Sequence, residues 1–443
     1  MASQSSTPEA IKDKKSITEE DEDGMQLYNH MTRNLEILTP KKEDFTVYTC
    51  GITPYDTTHL GHAFTYACTD VLIRYLEYLG HPVIYVQNVT DIDDDILRRA
   101  QSVGQDWRAL GNRWTTHFIQ DMMSLNVLPP SHFPRATDYI SEIQEWVQKL
   151  LDAGVAYESG GSVYFHIDSY PAFGKLNRLP RSEMLAIANE RGNRPDDPHK
   201  KDPLDFVLWQ AQSPGEPNWE SPWGPGRPGW HIECSTMATQ LLGEVIDVHI
   251  GGSDLAFPHH ECEIAQVEPV TGKIPCVRFW MHIAMVYHEG EKMSKSLGNL
   301  IMVRDLLETW SADALRLYLG YHHYRETWSH EIEALEKSEQ LAQKLRSAVV
   351  AINSQGPPLD PSHAEKAFRR SMDADLDTPS ALDILEDFAH EIQDASSNGK
   401  EVGAAQDALH TMGRVFGLRL DAEGPEARVL SGWRKHLEGF KSA

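Results

Sequence analysis

The feature that most narrows the fold of this chain is the run Cys50-Gly-Ile-Thr-Pro-Tyr-Asp-Thr-Thr-His-Leu-Gly-His-Ala63 and what flanks it. Before it, residues 45–48 are an apolar run with the character of a strand. After it, Ala63, Ala67, Val71, Tyr75 and Leu79 recur every four residues and Gly80 follows, which predicts one buried face of a helix ending there. Residues 82–87 read as a second buried strand. Two strands joined by a single helix make a parallel βαβ unit, so the chain is committed to an α/β sheet. Ligands in such sheets bind beyond the carboxyl ends of the strands. Cys50 and the segment Asn88-Val89-Thr90-Asp91 fall at that edge. His59 and His62 sit in the first turns of the helix, three apart and on one face, with Gly61 leaving room for a ligand. A helix start offers free N–H groups and favours phosphate. The pattern predicts a cradle for a nucleoside triphosphate.

The rest of the chain organises around this unit. Residues 1–24 are rich in Ser, Lys, Glu and Asp, with an acidic run at 19–23, and predict a disordered acidic tail. Residues 25–328 read as an α/β catalytic domain interrupted at about 124–226. Pro129-Pro130 and the Pro/Gly/Trp-rich run 213–229 punctuate that insertion, and Gly160-Gly161 before Val163-Tyr-Phe165 predicts a hairpin. A third sheet strand is expected at 245–250, before Gly251-Gly-Ser-Asp254, and another at 279–286, before Lys292-Met-Ser-Lys-Ser296. Helices at about 329–352, 363–372, 378–396 and 402–417 predict a bundle over 329–420, leaving 421–443 as a tail. No stretch approaches the roughly 18 apolar residues of a membrane span, and the start lacks a secretory signal, so a cytoplasmic protein without a membrane partner is expected. The formal charge of −25 argues against nucleic-acid binding by overall field, though not against a local basic patch. The five cysteines are odd in number and widely spaced, which points to metal or catalysis rather than disulfides.

Three constellations carry chemistry. Lys292 and Lys295 place two ammonium groups on a loop flanked by Gly290 and Gly298. Such a loop can close on negative charge that builds on a phosphate leaving group. Cys50, Cys234, His259 and Glu263 are the metal candidates. His259 and Glu263, four apart, share a helical face, and thiolate, imidazole and carboxylate are the usual ligands of zinc. Their spacing alone does not bring Cys50 to Cys234. Gly251-Gly252-Ser253-Asp254 after a strand suits a ribose, with Asp254 accepting from a hydroxyl. Asp91, Asp93, Asp94 and Asp95 read as a solvated helix start rather than a magnesium site.

These segments carry a family resemblance. His59-Leu-Gly-His62 resembles the HIGH signature of class I aminoacyl-tRNA synthetases, and Lys292-Met-Ser-Lys-Ser296 matches their KMSKS signature, in the family's chain order. Cys50-Gly-Ile-Thr53, Pro225-Gly-Arg-Pro-Gly-Trp-His-Ile-Glu-Cys234 and Phe257-Pro-His-His-Glu-Cys-Glu263 resemble the zinc segments of cysteinyl-tRNA synthetases, and the likeness runs over most of residues 25–330. The resemblance implies a Rossmann-like catalytic domain with an insertion, followed by a C-terminal α-helical bundle. It implies an ATP-dependent cysteine ligase with His59, His62, Lys292 and Lys295 as catalytic residues and ATP with magnesium as substrate. One zinc per chain would sit on Cys50, Cys234, His259 and Glu263 and receive the thiolate of L-cysteine. Serine offers no comparable bond, so no editing site is needed. Two thiolates and Glu263 bring zinc to a net charge of about −1, and a substrate thiolate to about −2, so Glu263 is expected to be a weak or displaceable ligand. Cysteinyl-adenylate would be lined by Cys50, Gly51, Ile52, Thr53, Thr65, Asn88, Val89, Thr90, Gly252, Ser253, Asp254, Val286 and Lys295, with Trp230 closing over the cysteine.

Two branches of the family share this core. One transfers cysteine to tRNA(Cys); the other, in mycothiol biosynthesis, transfers it to the amine of glucosaminyl-inositol, releasing AMP and pyrophosphate. The segments 52–63 and 85–94 resemble the amino-sugar branch more closely. So does Glu190-Arg-Gly-Asn-Arg-Pro195, which departs from that branch's ERGGDP motif at Asn193 and Arg194. The segment 421–443 is read as a tail without a full anticodon-binding domain, which is expected to favour the amino-sugar branch. Glu263 and Leu27-Tyr-Asn-His-Met-Thr-Arg33 resemble the tRNA branch instead. The amino-sugar acceptor is favoured, with tRNA as the alternative. An inactive binding or regulatory paralogue is a remote third reading, opposed by the intact signatures and metal candidates. A redox role for Cys50 and Cys68 lacks a Cys-x-x-Cys.

Overall fold

The computed structural model describes residues 24–55, 58–293, 298–420 and 424–441. Apart from Gly24, the expected acidic tail lies outside the described residues, as does Lys295.

Four parallel strands form the central sheet, in the order Val277–Ile283, Ile246–Gly252, Phe45–Ile52, Val83–Val89. The first two strands in the sequence thus form the expected parallel pair, joined by the helix Leu60–Tyr78. That helix stops where the sequence indicates, with Leu79 as its cap and Gly80 at φ +87°. The third strand adds to the opposite side of Phe45–Ile52, so strand order reverses between residues 45–52 and 246–252. Such a switch point opens a crevice at the carboxyl ends of the two strands. Alternate residues face opposite sides of the sheet. Val47, Val248, Ile250 and Met281 join a core with the Leu60–Tyr78 helix and the C-terminal helices. Tyr48, Val86 and Trp280 join a second core with the helices Trp230–Leu242 and Glu261–Thr271 and the inserted segment.

That inserted segment builds its own antiparallel sheet from Ala156–Ser159, Ser162–Phe165, Phe206–Ala211 and Gly226–Pro228. The turn at Gly160-Gly161 has φ of +62° and +81°, a backbone only glycine adopts freely. The expected strand at 279–286 is two elements, Val277–Ile283 and Val286–His288, the second pairing with Glu291–Lys292 and Trp328–Ser329.

Helices Ile332–Val349, Ser362–Asp373, Thr378–Ser397 and Gly403–Val415 form the C-terminal bundle. The segment read from sequence as a tail contains a further helix, Ala427–Lys441. It docks on the catalytic domain: Trp433 is fully buried, stacks edge-on against Phe118 and Phe133, and donates from Nε1 to Val127 O (2.9 Å). A Cβ at Gly432 would lie 2.2 Å from Pro129 Cγ, so glycine permits this approach. Two glycines and an apolar face of few residues hide this helix in the sequence; packing supplies its stability. Among the described residues no helix is long and apolar enough to cross a membrane.

Candidate active site

Four side chains from separate elements converge at one buried point below the crevice. Cys50 comes from the strand Phe45–Ile52, Cys234 from the helix Trp230–Leu242, His259 from the kinked segment Ala256–His260, and Glu263 from the first turn of Glu261–Thr271. Their ligand atoms all lie within 4.8 Å of one another, and all four residues are buried. His259 Nε2 is 3.2 Å from Glu263 Oε1, and Cys50 Sγ is 3.8 Å from the same oxygen. His259 is oriented from outside the cluster: its Nδ1 is 2.9 Å from His231 Nδ1, and Trp230 stacks on its ring at 4.4 Å. A proton on His259 Nδ1, donated to His231, leaves the Nε2 lone pair facing the cluster.

Burial pushes the Cys50 thiol and the Glu263 carboxyl upward, and the neighbouring Cys234 adds to both. Burial pulls the His259 imidazole down. Burial therefore disfavours charge on Cys50, Glu263 and His259. A dication at its centre would reverse that balance and favour thiolate and carboxylate. Two thiols, an imidazole and a carboxylate in a closed pocket fit zinc, whose soft and borderline ligands these are.

Sequence reasoning missed two histidines here. His249 Nε2 and His260 Nε2 lie 3.5 Å and 3.3 Å from Cys50 Sγ. Both are buried. His249, an imidazole between the apolar Val248 and Ile250 of its strand, was the available signal.

At the other side of the crevice, His59 caps the Leu60–Tyr78 helix. Its Nδ1 accepts from the N–H groups of Gly61 (3.1 Å) and His62 (3.4 Å). The His59 and His62 rings stack at 3.8 Å. The chain following the second signature returns to this helix start: Leu60 N–H donates to Ile301 O (2.8 Å) and Val303 N–H to Thr58 O (3.0 Å). A Cβ at Gly61 would sit 3.9 Å from Met293 Cε. The two signatures therefore meet. Lys292 pairs through its backbone with Tyr287 in a short antiparallel ladder.

Between these two halves, Gly51 crosses the strand Val83–Val89 so closely that a Cβ would fall 1.5 Å from Asn88 O. Gly51 N–H donates to Asn88 Oδ1 (2.7 Å), Asn88 Nδ2 to Thr90 Oγ1 (3.2 Å), and Thr90 N–H to Ile52 O (2.9 Å). These bonds fix the strand ends at Ile52, Asn88, Val89 and Thr90, and Thr53 leads on from them. Thr65 lies one turn into the helix and donates to Gly61 O (3.2 Å). Gly252 ends its strand; Ser253 and Asp254 follow in a short turn, where Arg191 of the inserted segment donates to Asp254 Oδ2 (2.8 Å). Val286 is buried at the start of its short strand. The acidic run is not uniformly solvated. Asp93 caps the helix Asp94–Val103, but Asp91 is buried and accepts from Thr137 N (3.0 Å) and Oγ1 (2.6 Å), tying two loops together.

Comparison with known proteins gives the following. Residues 36–340 match the family model described as tRNA synthetases class I (C) catalytic domain, and residues 367–421 match the DALR domain. The chain is 47% identical over 347 residues to the L-cysteine:1D-myo-inositol 2-amino-2-deoxy-alpha-D-glucopyranoside ligase of Thermomonospora curvata, covering 78% of this chain and 83% of that protein. It is 41% identical over 403 residues to the cysteine–tRNA ligase of Dehalococcoides mccartyi, covering 89% and 86%. It is 43% identical over 426 residues to the cysteine–tRNA ligase of Thermosynechococcus vestitus, covering 91% and 87%. In fold it is similar to Mycobacterium tuberculosis methionyl-tRNA synthetase in complex with methionyl-adenylate, with a TM-score of 0.62 at 16% identity, covering 90% of this chain and 93% of that one.

Proposed function

From the premise that the chain belongs to the class I tRNA synthetase (C) family, whose members are ATP-dependent ligases, we propose that it activates L-cysteine to cysteinyl-adenylate and passes the cysteinyl group to the amine of glucosaminyl-inositol. The observation that carries cysteine as substrate is the convergence of Cys50, Cys234, His259 and Glu263 on one buried point. Zinc bound there would supply a soft Lewis acid for a substrate thiol, which a serine hydroxyl does not match.

The remaining roles belong to the chain's own groups. Trp230, stacked on His259, stands where it would cover the cysteine side chain. Gly51 and Asn88 hold the strand ends so that backbone can approach the adenylate. His59 and His62 at the helix start would bind the ATP phosphates with Lys292 and Lys295 from the second signature, stabilising charge on pyrophosphate as it leaves. Asp254 would accept from the ribose.

The amino-sugar acceptor is supported by the 47% identity to a ligase named for that acceptor and by an acidic composition, with 41 Lys and Arg against 66 acids. The tRNA reading has its own support in Glu263 within the ligand set and in relatives named cysteine–tRNA ligases. The test supplies ATP and cysteine with either acceptor. Cysteinylation of glucosaminyl-inositol, little changed between low and physiological salt, is expected, because few counterions are released. Efficient charging of tRNA that weakens steeply with salt would replace the acceptor and leave the activation step intact.

A further inference from the structure

The cysteine cluster has a second face. Beside the set Cys50, Cys234, His259 and Glu263 lies another, Cys50, His249, His260 and Glu263, whose ligand atoms are also mutually within 4.8 Å and whose residues are also buried. The two sets share a thiol and a carboxylate and differ in the other pair of ligands.

Four donor–donor distances in the second set are Cys50 Sγ to His249 Nε2 at 3.5 Å, to His260 Nε2 at 3.3 Å and to Glu263 Oε1 at 3.8 Å, and His249 Nε2 to Glu263 Oε1 at 3.6 Å. A tetrahedral zinc with bonds of about 2.3 Å to sulfur and 2.0–2.1 Å to nitrogen or oxygen has sulfur–nitrogen and sulfur–oxygen edges of roughly 3.6 Å and nitrogen–oxygen edges of roughly 3.4 Å. The four distances match those edges to within about 0.3 Å. The outer face of the site is also supplied. His260 Nδ1 is 2.8 Å from His282 Nε2 and His249 stacks on Trp280 at 4.6 Å, so both rings are held with Nε2 toward Cys50. An N–H on His260 Nδ1, donated to His282, leaves Nε2 as a ligand, the arrangement in which an outer hydrogen bond orients a metal-binding imidazole.

Charge separates the two seats. One thiolate and one carboxylate balance a dication, so the second seat is neutral when filled. The first, with a further thiolate, is left at about −1. Burial in a low-dielectric interior penalises the net charge. We propose that Cys50, His249, His260 and Glu263 form a second, alternative seat for a divalent transition metal, one that holds the ion whenever the Cys234 thiolate is not available as a ligand. The seats share two ligands, so one ion fills one or the other. The inference rests on the metal-binding part of the proposed function and is independent of the acceptor.

The experiment titrates the metal-free full chain with Co²⁺, counting bound metal and recording the thiolate-to-cobalt charge-transfer band. Wild type and H260A should each bind about one Co²⁺ through two thiolates. C234A should still bind about one, with about half the charge-transfer intensity, because one thiolate replaces two. C234A/H260A should lose it. Folding of each variant is checked by circular dichroism, and C234S carries the same test should C234A not fold. A folded Cys234 variant that binds no cobalt overturns the second seat while leaving the first intact. Cobalt retained undiminished in C234A/H260A overturns it as well. Wild type that binds no cobalt or zinc would instead refute the metal reading of the proposed function.

Discussion

Asp70→Asn is a sharp test of how the catalytic domain is fastened to the C-terminal helices. Asp70 lies on the Leu60–Tyr78 helix and is 1% exposed. Its Oδ2 accepts from Arg74 Nε (2.9 Å) and Arg316 Nη2 (2.5 Å), and its Oδ1 from Leu128 N (2.8 Å). The two arginines are not equally dependent on it. Arg74 also reaches Glu426 (2.5 Å) and the carbonyls of Asn126 (2.7 Å) and Arg414 (3.2 Å). Among the described residues Arg316 has only Phe416 O (2.6 Å) besides, and its Nη1 has no hydrogen-bond partner there. Burial already pulls the Arg316 guanidinium down, with Asp70 opposing. An amide would keep one acceptor for Leu128 but leave Arg316 a buried cation without a counter-charge. Breaking such a pair from one side costs about 3–5 kcal/mol; the retained acceptor and the contacts of Arg74 put the expected loss near about 3 kcal/mol. Urea unfolding should show it as a fall in midpoint with little change in slope, followed by both helix content and tryptophan fluorescence because a chain of this size need not unfold in one step. Adding Arg316→Met should recover part of the loss, since it removes the stranded charge. A loss under about 1 kcal/mol for Asp70→Asn, or no recovery in the double variant, would refute the reasoning.

Two further outcomes follow from the structure and its signatures. Burial alone would raise the Glu426 carboxyl, but Arg74 and Arg428 outweigh it and hold it at about 2 instead of 4.5. The folded value is the lower one, so its stabilisation is complete above about 4.5 and lost as pH falls toward about 2. Thermal stability should drop across that window as the helix Ala427–Lys441 undocks, and Glu426→Gln should flatten the drop; an identical profile in the variant would sink the assignment. If Lys295 has the role proposed for it, Lys295→Ala should lower kcat for cysteine-dependent pyrophosphate exchange by on the order of 10²–10³ with little change in the KM for ATP, the mark of a contact made mainly in the transition state. An unchanged kcat with a large KM rise would make Lys295 a ground-state ATP contact only.

The sequence by itself determined the elements whose signal is local. The four-residue period from Ala63 to Leu79, closed by Gly80, gave the helix; the apolar runs on either side of it gave the parallel pair; and Gly160-Gly161 gave the hairpin. The first signature was legible as a short contiguous pattern, and His59 does cap the start of its helix. Tertiary structure decided whatever depends on strand order. Cys50 and Cys234 meet because the strand Ile246–Gly252 adds beside Phe45–Ile52 rather than beyond Val83–Val89, which draws the preceding helix Trp230–Leu242 over the end of the central strand. The same placement brings His249 and His260 against Cys50, a partner some two hundred residues away that their sequence neighbours do not specify. Asp91 became a buried tie between loops, and residues 427–441 became a docked helix, for a related reason. In each the stabilising contact is with a distant segment, Thr137 for the first and Val127 and Phe133 for the second, and periodicity within a few turns carries no record of such contacts.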